Sequence, residues 1–178
     1  MIEIVAGSHR DISEVVDHLR DIDRQEIYCQ MEEGGEDLLV VMALEQNSRV
    51  CRLDGEPVAV FSFSAINVST VAVNLFGTDK ITRAIPAITR FIFMRMIPDS
   101  LAFGIRRFEA RSLATHRQAH RWLEACGAVN EGVLPEFGKH GEDFYLYGLT
   151  RTKLRQIQPK RWQTNVFSTG GKTGQKSG

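Results

Sequence analysis

The side chains best suited to chemistry lie in the second half of the chain. His116, His120 and Glu124 recur every fourth residue, so a helix would stack them on one face, where two imidazoles one turn apart can share a metal ion. No third ligand stands near them, so a solvated polar face, with no metal, is the expectation. Glu109, in RRFEARS, alternates with Arg107 and Arg111; on a strand it either acts as a general base or pairs with one of the arginines. His140, in KHGED, reads as a turn residue as readily as a functional one. Cys29, Cys51 and Cys126 are odd in number and widely spaced, with no C-x-x-C pair, which predicts ordinary part-buried thiols in a reducing compartment. The Gly-Lys-Thr near the C-terminus is not a phosphate loop, because Val166 stands where that motif needs a glycine and no helix follows.

These residues need a scaffold, and 178 residues supply one domain of ordinary size. With 43% hydrophobic and 25% charged residues, wholesale disorder and fibrous classes are excluded. No apolar run approaches the roughly 20 residues of a spanning helix, and a soluble protein without an export signal is expected. Net charge is zero but uneven: residues 151–178 carry seven Lys and Arg and no acid, so an acidic body carries a basic arm. The arm's Gly/Ser/Thr/Lys end predicts disorder, and its charge fits either a solubilising tail or an acidic partner: nucleic acid, another subunit, or a neighbouring copy's body.

The elements follow from periodicity. Residues 2–5 read as a strand, with Ser8 and Asp11 opening a helix whose apolar residues Ile12, Val15, Val16, Leu19 and Ile22 keep helical spacing. A second helix is predicted over 36–46, and strands 49–53 and 57–63 are joined by Asp54-Gly55, a strong hairpin signal. Residues 68–76 read as a strand. After the turn Gly77-Thr78-Asp79, capped by Thr78 or Asp79, a helix is predicted to about Met96, with Pro86 in its first turn or kinking it. It buries Ile81, Ile85, Ile88, Phe91, Ile92 and Met96, leaving Lys80, Arg83 and Arg90 on a basic face. A strand over 105–110, a helix over 115–126 stopped by Gly127, and a strand over 142–149 complete the order.

In that order, and in the segment HRQAHRWLEACGA with Ala119, Trp122, Leu123, Gly127 and Ala128, residues 56–150 resemble the GNAT superfamily of acetyl-CoA-dependent N-acetyltransferases. The resemblance implies an α/β (α+β) fold with a mixed, mainly antiparallel central sheet flanked by helices. It also implies a closing β-hairpin within NEGVLPEFGKHGEDFYLYGL. The GNAT-like domain is placed at 1–150 and the basic arm at 151–178. The family's turn Q/R-x-x-G-x-G/A, which grips the CoA pyrophosphate, corresponds here to Phe76, Gly77, Thr78, Asp79, Lys80 and Arg83, with one glycine and a repelling aspartate. The family's tyrosine acid corresponds to Leu123, which cannot donate a proton, and its helix-opening asparagine to His116; Tyr145 and Tyr147 are the substitutes nearby. Glu109 is the candidate base. No resident cofactor is expected, or acetyl-CoA if the site is active.

The strings GEPVAVFSF, LFGTDKITRAIPAITRFI, RRFEARSLATHRQAHRWLEACGA and LPEFGKHGEDFYLY also resemble a phage group related to an internal virion protein of short-tailed (podovirus) phages. That likeness implies a virion-associated or assembly and ejection component in the host cytoplasm and the virion. The likeness spans about residues 1–150 and does not reach the basic arm; from its charge alone the arm is expected to engage proteins of the particle or further copies of the chain, with nucleic acid as another target. The alternatives are an active N-acetyltransferase and a nucleic-acid accessory protein; for the latter only Trp162 and Phe167 in the arm offer base stacking.

Overall fold

The computed structural model describes residues 1–32 and 34–157. Its elements are β1 Ile2–Ala6, α1 His9–Asp17, α2 Asp21–Tyr28, α3 Glu36–Glu45, β2 Arg49–Leu53, β3 Glu56–Asn67 and β4 Thr70–Gly77. There follow α4 Ile81–Phe91, a π turn Ile92–Met96, α5 Ile97–Ala102, β5 Arg107–Leu113, α6 Arg117–Ala125, β6 Val129–Leu134, β7 Phe144–Thr150 and α7 Arg151–Ile157. The seven strands form one sheet in the order β1-β2-β3-β4-β5-β7-β6, antiparallel except where β4 meets β5. The expected mixed, mainly antiparallel sheet flanked by helices is therefore present, and β6 with β7 is the expected closing hairpin.

Local sequence explains most boundaries. Ser8 caps α1, its hydroxyl accepting from the Asp11 amide, and Asp54 and Gly55 both adopt positive φ in the β2–β3 turn. Where the periodicity predicts one helix from Ile12 to Ile22, the chain forms two. Arg20 turns extended because its amide leaves the helix to bond the Gly77 carbonyl at 3.1 Å, tying the start of α2 to the end of β4. Neither Thr78 nor Asp79 caps α4; its N-cap is Lys80, whose amide bonds the Thr78 hydroxyl oxygen at 3.3 Å. Pro86 stands in the second turn of α4, leaving the Thr82 carbonyl without its helical donor. Helix continues past Met96 to Ala102, and the next strand begins at Arg107 rather than Ile105, since the Ile105 amide still bonds Ser100 at the helix end.

Two cores sandwich the sheet. On one face α1 and α3 bury Ile12, Val15, Val16, Leu39, Val40 and Ala43 against Val50, Val60 and Phe76. On the other, α4 and the π turn bury Ile81, Ala84, Ile88 and Ile92 against Val58, Phe61, Val71 and Phe108, with Trp122 of α6 alongside. Leu154 of α7 is buried in this second core, so the first turns of the segment assigned by charge to the arm pack on the domain. The expected disorder of the arm's end falls on residues 158–178, outside the described residues.

Candidate functional site between the diverging strands

The parallel pairing of β4 and β5 covers only Thr70–Ala72 against Arg107–Glu109. Beyond it the strands separate, and the gap opens into a cleft of about 460 Å³. Thr82, Ile85, Trp122 and Leu123 wall it on the α4–α6 side, and Met42, Gln46, Ser62 and Asn74 on the α3 side. The α3-side wall is a closed polar network: Asn74 Nδ2 donates to Gln46 Oε1 at 3.2 Å and to Ser64 Oγ at 3.0 Å, and Ser62 Oγ donates to Gln46 at 2.8 Å.

Arg20 and Glu26, from α2 and its cap, line the cleft, and Asp23 lies between them in the chain. Asp23, 2% exposed, accepts from the Gly77 amide at 2.8 Å and from two nitrogens of Arg20 at 2.8 and 2.9 Å. One turn later Glu26 Oε2 accepts from the Leu113 amide at 2.8 Å, Ser112 Oγ at 3.0 Å and His116 Nδ1 at 2.9 Å. His116 Nε2 faces Arg20 Nη2 at 3.4 Å and Asp23 at 3.8 Å, and Arg20 also reaches Gln118 at 3.1 Å. The ends of β4 and β5, which have parted, are thus joined through α2. Burial pushes the Asp23 carboxyl up against the opposing pull of Arg20 and the Gly77 amide. The sequence missed this latch because α2 was merged into the preceding helix; the i, i+3 pair Arg20–Asp23 was its one visible trace.

The expected histidine face is corrected by the same geometry. His116 and His120 are buried, at 4% and 8% exposure, rather than solvated. His120 bonds the Leu113 carbonyl at 3.1 Å and stacks beside Tyr147, because the helix turns this face onto β5 and β7 rather than to water. Among the described residues no cluster of three or more His, Cys, Asp or Glu is arranged to hold a metal. His140 is exposed in its turn, where its amide bonds Glu142.

Of the residues assigned to a cofactor, Phe76 lines the cleft and is otherwise part of the α1–α3 core. The other five stand outside it. Gly77 gives its amide to Asp23, Thr78 gives its amide to Val58 at 3.0 Å, Asp79 is exposed, Lys80 pairs with Glu56, and the exposed Arg83 lies near Asp54. Glu109 does line the cleft, but Arg107 Nε holds it at 2.5 Å while the same guanidinium pairs with Glu131. The Tyr147 hydroxyl donates to Glu124 at 3.2 Å; burial first, and Glu124 second, raise it above the usual tyrosine range. Leu123 is buried, at 7% exposure, on the cleft wall. Burial pushes the Cys29 thiol up to about 11 and Cys126 up to about 12, so neither is poised as a thiolate.

The fold as a whole is shared with solved structures, several of them described as acetyltransferases. Ard1 from Thermoplasma volcanium superposes with a TM-score of 0.64 at 15% identity, over 84% of this chain and 97% of that one. A GNAT-family acetyltransferase from Bacillus anthracis gives 0.61 at 16%, over 84% and 94%. The chain has the GNAT fold. YncA from Salmonella typhimurium, solved with its cofactor acetyl-CoA, gives 0.63 at 12% identity, over 84% of this chain and 93% of that one. No family model and no curated protein matches the sequence.

Proposed function

We propose that this protein uses the GNAT fold without acetyl transfer and serves as a virion-associated component of a phage particle, in its assembly or ejection. The observation that carries the loss of chemistry is the Asp23 carboxylate on the Gly77 amide. The sequence likeness puts the pyrophosphate at this turn. Here a buried carboxylate already takes the first amide, the Val58 carbonyl takes the next, and Asp79 adds a second negative charge. Few backbone donors are left there, which makes the turn a poor cradle for a diphosphate even with Lys80 and Arg83 beside it. Leu123 supplies no proton to a departing thiolate, and Glu109 is committed to Arg107. The virion role is supported by the sequence likeness to the podovirus group across the turn, the α6 helix and the last loop.

A second reading, an active N-acetyltransferase, is favoured by the cleft itself, which is open between β4 and β5 and walled by polar side chains on one side. Calorimetric titration with acetyl-CoA separates the two. The unaltered chain should give no binding heat, whereas Asp79→Gly and Asp23→Asn each remove one of the opposing charges. Micromolar binding by the unaltered chain would overturn the first reading and turn the search towards an amine acceptor. The virion role is tested by mass spectrometry of purified particles, which should contain the chain.

A further inference from the structure

The polar network on the α3 side of the cleft leaves one end of each of its amides unspent. Ser62 Oγ and Asn74 Nδ2 both donate to Gln46 Oε1, at 2.8 and 3.2 Å, so the Gln46 carbonyl oxygen is the end the network uses and Nε2 is the end left over. Asn74 Nδ2 also reaches Ser64 Oγ at 3.0 Å, which leaves its Oδ1 over in turn. Among the described residues neither Gln46 Nε2 nor Asn74 Oδ1 has a partner. Ser48, 3% exposed, lines the same cleft, and its buried hydroxyl has no hydrogen-bond partner. Buried polar groups are normally paired, so a donor, an acceptor and a hydroxyl left over around one cleft mark a place for a polar group from outside the chain.

That group is uncharged. The carboxylates lining the cleft are engaged, Glu26 by the Leu113 amide, Ser112 and His116, and Glu109 by Arg107, while Arg20 holds Asp23. The other two arginines of the lining, Arg111 and Arg121, are exposed on β5 and α6. On the α3 side an ammonium group meets no free carboxylate and a carboxylate meets Asn74 Oδ1, so either charge leaves water without a counter-charge. A carboxamide offers an acceptor to Gln46 Nε2 and a donor to Asn74 Oδ1 within one planar group. Leu39, Met42 and Ile66 line the cleft with the polar wall, and Met42 and Ile66 remain 40% and 43% exposed, an apolar surface that an aliphatic body would cover. The volume, about 460 Å³, lies within the roughly 300–1,000 Å³ of small-molecule sites. We propose that the α3 side of the cleft binds a neutral carboxamide with an aliphatic body, its amide paired with Gln46 and Asn74 and its chain against Leu39, Met42 and Ile66. The inference goes beyond the loss of acetyl transfer and does not rest on it, since none of these residues belongs to the Gly77 turn.

The test titrates the full chain, labelled with heavy nitrogen, with hexanamide, hexanoate and hexylamine, three probes with similar aliphatic bodies that differ in the polar head. Nitrogen–proton correlation spectra read both affinity and place. Hexanamide is expected to bind more tightly than either charged probe by about tenfold or more, the cost of bringing an unpaired charge to the wall, and to shift the side-chain amide signal of Gln46. A Gln46→Glu variant assigns that signal by its loss. It also keeps an acceptor for Ser62 and Asn74 while replacing the free donor by a negative charge, so hexylamine should become the tightest of the three, with circular dichroism confirming the fold. The ranking on the unaltered chain stands without the variant. Absence of hexanamide binding would leave the wall to water and overturn the proposal. So would equal binding of hexanoate or hexylamine, shifts that spare Gln46, or an unchanged ranking in the folded variant. These probes read the α3-side wall alone, whereas the acetyl-CoA titration reads the loss of acetyl transfer, and either result stands whatever the other shows.

Discussion

Removing the Asp23 carboxylate tests whether α2 holds the two diverging strands. Asp23→Ala takes away the acceptor of the Gly77 amide and both carboxylate contacts of Arg20. A buried donor left unpaired costs about 1–3 kcal/mol, and breaking a buried ion pair by deleting one partner about 3–5 kcal/mol. These overlap rather than add. Arg20 keeps some exposure, 14% against 2% for Asp23, and retains Gln118, so the lower part of that range applies, about 3–4 kcal/mol. Asp23→Asn preserves the shape and an acceptor for Gly77 while relieving the burial of charge that pushes the carboxyl up; about 1–2 kcal/mol is expected. Urea unfolding followed by circular dichroism reads both, and with a slope of about 2 kcal/mol per molar the alanine variant should lose roughly 1.5–2 M of midpoint. A loss under 1 kcal/mol for alanine would refute the latch. Equal losses for alanine and asparagine would show that the lost charge, and not the lost acceptor, sets the cost.

Gly77→Ala should destabilise by about 2–3 kcal/mol in the same assay, because a Cβ there would lie 2.4 Å from the Val58 carbonyl oxygen and 2.9 Å from Ile81 Cδ1, and the backbone cannot retreat. Leu154→Ala should cost about 2–4 kcal/mol if α7 belongs to the folded unit, and a near-neutral result would detach it. Burial holds His120 below its ordinary range, so the unfolded chain takes up the proton first: its contribution is whole above about pH 6.5 and lost as pH falls through the lower folded value. In thermal melts between pH 7 and 5, His120→Gln should therefore fall less steeply than the parent. Burial raises the Asp11 carboxyl, but Ser8 and Arg52 outweigh it and hold the group below the usual range. The stability it confers is present above about pH 4 and lost on further acidification, and Asp11→Asn at pH 7 should cost about 1–2 kcal/mol.

Short-range chemistry was legible without coordinates. The Ser8 cap, the Asp54-Gly55 hairpin, the buried Ile12, Val15 and Val16 of α1, the apolar face of α4 and the stop at Gly127 depend on neighbours within a few residues, and each lies where the sequence places it. The element order, with the likeness of the α6 segment, was enough for the sheet class and the closing hairpin. What the tertiary structure decided is which distant groups meet. Arg20 leaves its helix for a carbonyl 57 positions away in the chain, Asp23 and Glu26 find amides on two strands, and His116 and His120 turn inward because β5 and β7 stand behind them. No local pattern encodes those partners, since a polar residue at helical spacing reads the same whether water or a buried carboxylate receives it. The cleft is likewise a property of pairing that stops at Ala72 and Glu109, and the arginine that Glu109 meets beside it is Arg107.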